Sequence, residues 1–172
     1  MTTRPEATAL AAFTDELRHS LPMILTALDA VDRDRADRSA THEAYRLIHA
    51  LKGAASMVGL AAFGHLLNVA EEMLEAPTGG GTPLTDEALG ILRASVPQFA
   101  DYMDAALGGR PIEPIALALA RALRQDSEAD MASIGALLDI ETREVALSQP
   151  EPVEPEHRAA AQLAVAMSGP GA

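Results

Sequence analysis

The chain contains no cysteine and no tryptophan, and its only aromatic residues are three phenylalanines and two tyrosines. Without thiols it has no disulfides, no thiolate metal site and no cysteine nucleophile. With 48% hydrophobic residues but only 3% aromatic ones, a core must be built from Leu, Ile, Val, Met and Ala. Such side chains suit close helix-on-helix packing, whereas strands would draw on more β-branched and aromatic residues. No apolar run approaches the ~20 residues needed to cross a bilayer. The stretch Met1 to Ala12 has no basic region leading into a long apolar run, so no signal peptide is read there. A cytoplasmic protein is expected, with no membrane insertion. Positive charge is also scarce: 13 Lys and Arg stand against 25 Asp and Glu, for a net charge of −12. An acidic surface repels phosphate backbones, so nucleic acid is not expected as a partner.

What the sequence does contain is helical periodicity. In the first of six segments, from about Pro5 to Val31, Leu10, Phe13, Leu17, Leu21, Ile24 and Leu28 recur at spacings of three and four; Pro22 should kink or divide it. Asp32 to Arg38 reads as a solvated loop. A second helix spans about Ser39 to Met57, with Ser39 or Thr41 as its cap and Ala44, Leu47, Ile48, Leu51, Ala55 and Val58 inward. Gly59 breaks it. A third follows at once, from about Leu60 to Ala76, with Phe63, Leu66, Leu67, Ala70, Met73 and Leu74 inward, so the two form an antiparallel pair. Pro77 to Pro83 is a loop. A fourth helix runs from about Thr85 to Leu107, with Leu89, Leu92, Val96, Phe99 and Met103 inward and Pro97 as an interruption. A fifth segment runs from Pro111 to about Arg124. A sixth, capped by Asp126 or Ser127, ends near Leu147 and carries Met131, Ile134, Leu137, Leu138 and Val145. From Ser148 the chain reads as a Pro-, Glu- and Ala-rich linker or disordered tail. The expected organisation is a bundle plus fifth helix over 1–124, an additional helix over 125–147 that packs on the bundle or self-associates, and the tail over 148–172.

The chemistry concentrates in His49-Ala-Leu-Lys-Gly-Ala-Ala-Ser-Met-Val-Gly59. Residues three and four apart share a helix face, so Tyr45, His49, Lys52, Gly53 and Ser56 form a stripe opposite Leu47, Leu51 and Val58. Lys52 is the only lysine in the chain. An ammonium at that place would offset the nearly two negative charges of a phosphoryl group on imidazole. Gly53 would let another protein's surface approach; in a helix interior, glycine costs about 1 kcal/mol relative to alanine. Two plainer readings stand beside this one. A lone surface histidine commonly has no role, and a glycine also serves close helix packing.

This stretch resembles the His-x-x-Lys-Gly signature of histidine-phosphotransfer (Hpt) domains, with the later glycine of that signature at Gly59. Phe63 and the run Asn68-Val-Ala-Glu-Glu-Met-Leu-Glu75 resemble the family's third helix, most closely that of the N-terminal phosphotransfer domains of CheA-type chemotaxis kinases. The resemblance covers roughly residues 8 to 124. It implies an all-α fold, an antiparallel four-helix bundle with one or two additional C-terminal helices. It also implies that His49 accepts the phosphoryl group, that Lys52 assists transfer and that Glu71 hydrogen-bonds the imidazole and fixes its tautomer. Tyr45, Gly53, Ser56 and Asn68 would face the docking partner. Chemotaxis kinases often place another histidine on the third helix near the site, where this chain has Asn68, so the polar network is expected to differ.

On this reading the chain is a bacterial two-component phosphocarrier needing no cofactor or metal. Its partners are a histidine kinase catalytic domain, which supplies phosphate from ATP, and a response-regulator receiver aspartate. The isolated domain is expected to be monomeric. Gly79-Gly80-Gly81 lacks the following Lys-Ser/Thr of a phosphate loop, so the kinase would be another domain, as in a CheA-like sensor kinase. The rival is a helical adaptor or dimerisation module with no phosphorylation, for which the sixth segment's apolar stripe would be the contact. A metal-binding bundle would need inward Glu-x-x-His pairs, and the sequence has none.

Overall fold

A computed structural model describes residues 5–125 and 127–148. Among these residues all regular structure is helical: α1 (Pro5–Arg33), α2 (Arg38–Met57), α3 (Ala61–Thr78), α4 (Asp86–Leu107), α5 (Glu113–Ala122) and α6 (Glu128–Ser148). α1 packs on α2 and α4, and α3 packs on α2 and α4, closing a four-helix ring. α5 lies against α4 and α3, and α6 lies against α3, α5 and α1.

The apolar stripes read from the sequence are the ones that turn inward. Leu17, Ile24 and Leu28 of α1, Ile48 and Leu51 of α2, and Phe63, Leu66 and Leu67 of α3 are at most 1% exposed. At full burial each stabilises the fold by roughly 1.5–3 kcal/mol relative to exposure. Val58 and Met73 are only partly buried. The scarce aromatics are gathered: Phe63 meets Phe13, Phe99 and Tyr102 at ring-centroid separations of 6.1, 5.7 and 4.8 Å. In α6, Ile134 and Leu138 are buried within the same chain, and Met131 and Leu137 are partly so.

Several boundaries differ from expectation. α1 is not divided at Pro22. Proline removes one intrahelical hydrogen bond there, but Leu17, Leu21, Ile24 and Leu28 bury their side chains on both sides of it. α4 likewise runs through Pro97. α2 begins one residue early and is capped by Asp37, whose side chain accepts from the Ala40 N–H, rather than by Ser39 or Thr41; Thr41 instead donates its hydroxyl back to the Asp37 carbonyl. α3 extends through Pro77 to Thr78, and α5 is shorter than expected. Ser127 caps α6 by accepting from the Asp130 N–H, while Asp126 lies outside the described residues. So do residues 149–172, on which the expected linker or tail falls, and the side chain of Val145.

Candidate functional site

α2 and α3 are joined by a turn of three residues, Val58 to Leu60. Its centre, Gly59, has φ 78°, a left-handed conformation in which a Cβ would be strained. So abrupt a reversal lays α3 back along α2. It brings His49, in the middle of α2, opposite Glu71, in the middle of α3, 22 positions later in the chain.

His49 Nδ1 lies 2.9 Å from Glu71 Oε1. The two side chains are 60% and 9% exposed respectively, so an accessible ring rests on a buried carboxylate. Lys52 Nζ stands 2.6 Å from the other oxygen, Glu71 Oε2, as a close ion pair. The same ammonium donates to Asn68 Oδ1 at 3.3 Å, and Asn68 Nδ2 donates to Glu72 Oε1 at 2.7 Å. Burial pushes the Glu71 carboxyl pKa up, but hydrogen bonds from His49 and Lys52 and the Lys52 charge outweigh it and hold the pKa below the usual value. An ionised carboxylate only accepts, so a neutral His49 ring facing it must carry its proton on Nδ1. That leaves a lone pair on Nε2, which has no hydrogen-bond partner among the described residues.

The stripe read from the sequence is present on the surface. The Tyr45 ring stacks on His49 at 5.9 Å and 20°, and His42 stacks on Tyr45 at 6.4 Å and 23°. Gly53 is exposed, and a Cβ built there would meet nothing within 4 Å. Close helix packing therefore does not account for this glycine. Ser56 is exposed too, with its hydroxyl turned back onto the Lys52 carbonyl at 3.1 Å. The arrangement can present one imidazole nitrogen to solvent, compensate positive charge on the ring with Glu71, and offer an ammonium within one turn.

Sequence reasoning passed over one polar cluster. Glu141 of α6 is fully buried; its Oε2 accepts from the Ala62 and Phe63 N–H groups at 2.7 and 3.0 Å, and its Oε1 accepts from the Tyr102 hydroxyl at 2.6 Å. Burial raises the Glu141 pKa, and the three hydrogen bonds counter this only in part. The available signal was its register: Glu141 continues the stripe of Ile134 and Leu138 at spacings of three and four, a place where an acid is out of pattern.

Among the described residues no group of three or more His, Cys, Asp or Glu side chains is placed to hold a metal ion, and no helix is long and apolar enough to cross a membrane. The chain is 24% identical over 131 residues to the chemotaxis protein CheA of Bacillus subtilis strain 168, a match that covers 76% of this chain. It spans 17% of the length of that curated relative. No solved structure matches. The family model of the Hpt domain matches residues 8–109. Those residues are more than half of the chain and hold the whole His49–Lys52–Glu71 cluster, and the protein thus belongs to the Hpt-domain family.

Proposed function

We propose that the protein is a phosphocarrier of a two-component phosphorelay, with His49 as the phosphoryl acceptor and donor. The observation that carries this reading is the pairing of an exposed imidazole with a buried carboxylate on one nitrogen only. In the accepting step the Nε2 lone pair attacks the γ-phosphorus of ATP held by a histidine kinase domain. The N–P bond forms, the bond to the bridging oxygen breaks, and ADP leaves. The ring keeps its Nδ1 proton and becomes cationic, and the Glu71 carboxylate at 2.9 Å stabilises that charge. In the donating step a carboxylate oxygen of a receiver aspartate attacks the phosphorus, the N–P bond breaks, and neutral His49 is regenerated. Lys52 lies one turn away, where its ammonium offsets the phosphoryl charge. Exposed Gly53 leaves room for the partner, and Tyr45, Ser56 and Asn68 border the same face. The likeness to the B. subtilis chemotaxis protein supports a CheA-like kinase as the setting of this domain.

Incubation with the cognate histidine kinase and labelled ATP is expected to give an acid-labile, base-stable phosphoryl adduct that His49→Gln abolishes. Label retained by folded His49→Gln would overturn the assignment.

A further inference from the structure

α3 has an N-terminus without a local cap. Its N-cap residue is Leu60, whose side chain makes no capping hydrogen bond. The first N–H groups of a helix have no intrahelical acceptor. Here the Ala62 and Phe63 N–H groups are met by Glu141, 79 and 78 positions further on in the chain. That carboxyl is 0% exposed, and its other oxygen is held by the Tyr102 hydroxyl of α4. One side chain thus ties α6, the start of α3 and α4 together, and it lies beyond the residues 8–109 matched by the family model.

α3 also supplies Glu71 and Asn68. Glu71 lies nine positions after Ala62, about 13 Å along the helix at 1.5 Å per residue. A helix is stiff over that distance, so a shift of its first turn is carried to the Glu71 carboxylate. The hydrogen bond at stake, 2.9 Å from His49 Nδ1, tolerates little displacement before it weakens.

We propose that Glu141 is a positioning residue of the phosphotransfer site: by capping α3 from α6 it sets the axial place and rotation of α3, and so holds Glu71 against His49 Nδ1. α6 is on this view part of the working unit. The inference rests on His49 being the reactive group, but its test reads the His49–Glu71 geometry directly, without phosphorylation.

Glu141→Leu keeps helix propensity and apolar volume but leaves the Ala62 and Phe63 N–H groups without an acceptor. Glu141→Gln retains an oxygen that accepts from both. Imidazole ¹⁵N spectra of the full chain report the protonation of His49 Nδ1 and Nε2 separately. We expect the wild-type protein and Glu141→Gln to show the Nδ1–H tautomer with a slowly exchanging proton. Folded Glu141→Leu is expected to show mixed tautomers and fast exchange. The rate of His49 phosphorylation by phosphoramidate should fall about ten- to a hundredfold in Glu141→Leu and be restored in Glu141→Gln. If Glu141→Leu does not fold, Glu141→Asp takes its place, keeping the acid but drawing it back from α3 by about one C–C bond length. A folded Leu or Asp variant with unchanged His49 spectra overturns the proposal, since its cap would then be structural only. Absence of any label on wild-type His49, with the spectral changes as expected, would count against the phosphocarrier reading and leave the positioning role standing.

Discussion

At the residue scale, the three side chains of the candidate site differ in their degree of exposure. His49 is open, Lys52 is half-buried and Glu71 is nearly sealed. A charge pair involving a buried carboxylate is screened less than one at the surface, so the Lys52–Glu71 pair is held more firmly than the exposed Arg46–Glu43 pair on α2. Substitutions at Gly53 can test docking and folding separately. Because a Cβ there meets open space, Gly53→Ala should hold or raise stability, by up to ~1 kcal/mol. Gly53→Gln should also fold normally, yet transfer its phosphoryl group poorly in both directions. Melting curves run beside a phosphotransfer time course with the cognate regulator check this. Early melting of Gly53→Gln would mean the glycine serves packing, and normal transfer would mean the partner docks elsewhere. Spacing alone made the exposed side of the site legible, because residues three and four apart on one helix must share a face. The burial of Glu71 was not legible, since Glu72 and Glu75 beside it in the sequence are exposed and only the packing of α3 on α2 separates them.

At the scale of elements, the α2–α3 hairpin decides what meets His49. Its turn depends on Gly59 at φ 78°. Gly59→Ala forces a Cβ into the left-handed region and should destabilise the fold by about 1–2 kcal/mol, which chemical denaturation can measure. An unchanged denaturation midpoint would show that the turn relaxes at little cost and that the hairpin does not rely on its glycine. The caps show where local reading stops. Thr85 caps α4 through the Ala88 N–H, close to the expected start of that helix. At α2, three polar candidates lie within five residues, Asp37, Ser39 and Thr41, and backbone geometry selects Asp37. At α3 no local candidate serves, and the acceptors come from α6.

At the scale of the whole molecule, two buried acids should tilt stability with pH in opposite directions. Glu71 has its folded pKa depressed below 4.5. The stability it contributes is therefore present above about pH 4.5 and is lost as pH falls through its folded value. Glu141 has its folded pKa raised above 4.5. The folded state holds that proton more tightly than the unfolded one, so the contribution of Glu141 declines as pH rises from 4.5 through the raised value. Denaturant unfolding of wild type, Glu71→Gln and Glu141→Gln across this range should show it. The wild-type advantage over Glu71→Gln should shrink on acidification, and its advantage over Glu141→Gln should shrink as pH rises. Parallel stability curves for all three proteins would refute both assignments.

The sequence by itself determined the helical class, the order of the six helices, the inward stripes and the His49, Lys52 and Gly53 face. These are properties of periodicity and of neighbours within one or two turns, which any helix must express. The family resemblance already pointed to Glu71; only the tertiary structure decided that this carboxylate is buried where it meets the imidazole, that Pro22 and Pro97 leave their helices undivided, and that α6 closes the start of α3 through Glu141. Each of these depends on contacts between segments far apart in the chain. Burial on a neighbouring helix there outweighs local preference, and no spacing rule spans the 78 residues between Phe63 and Glu141.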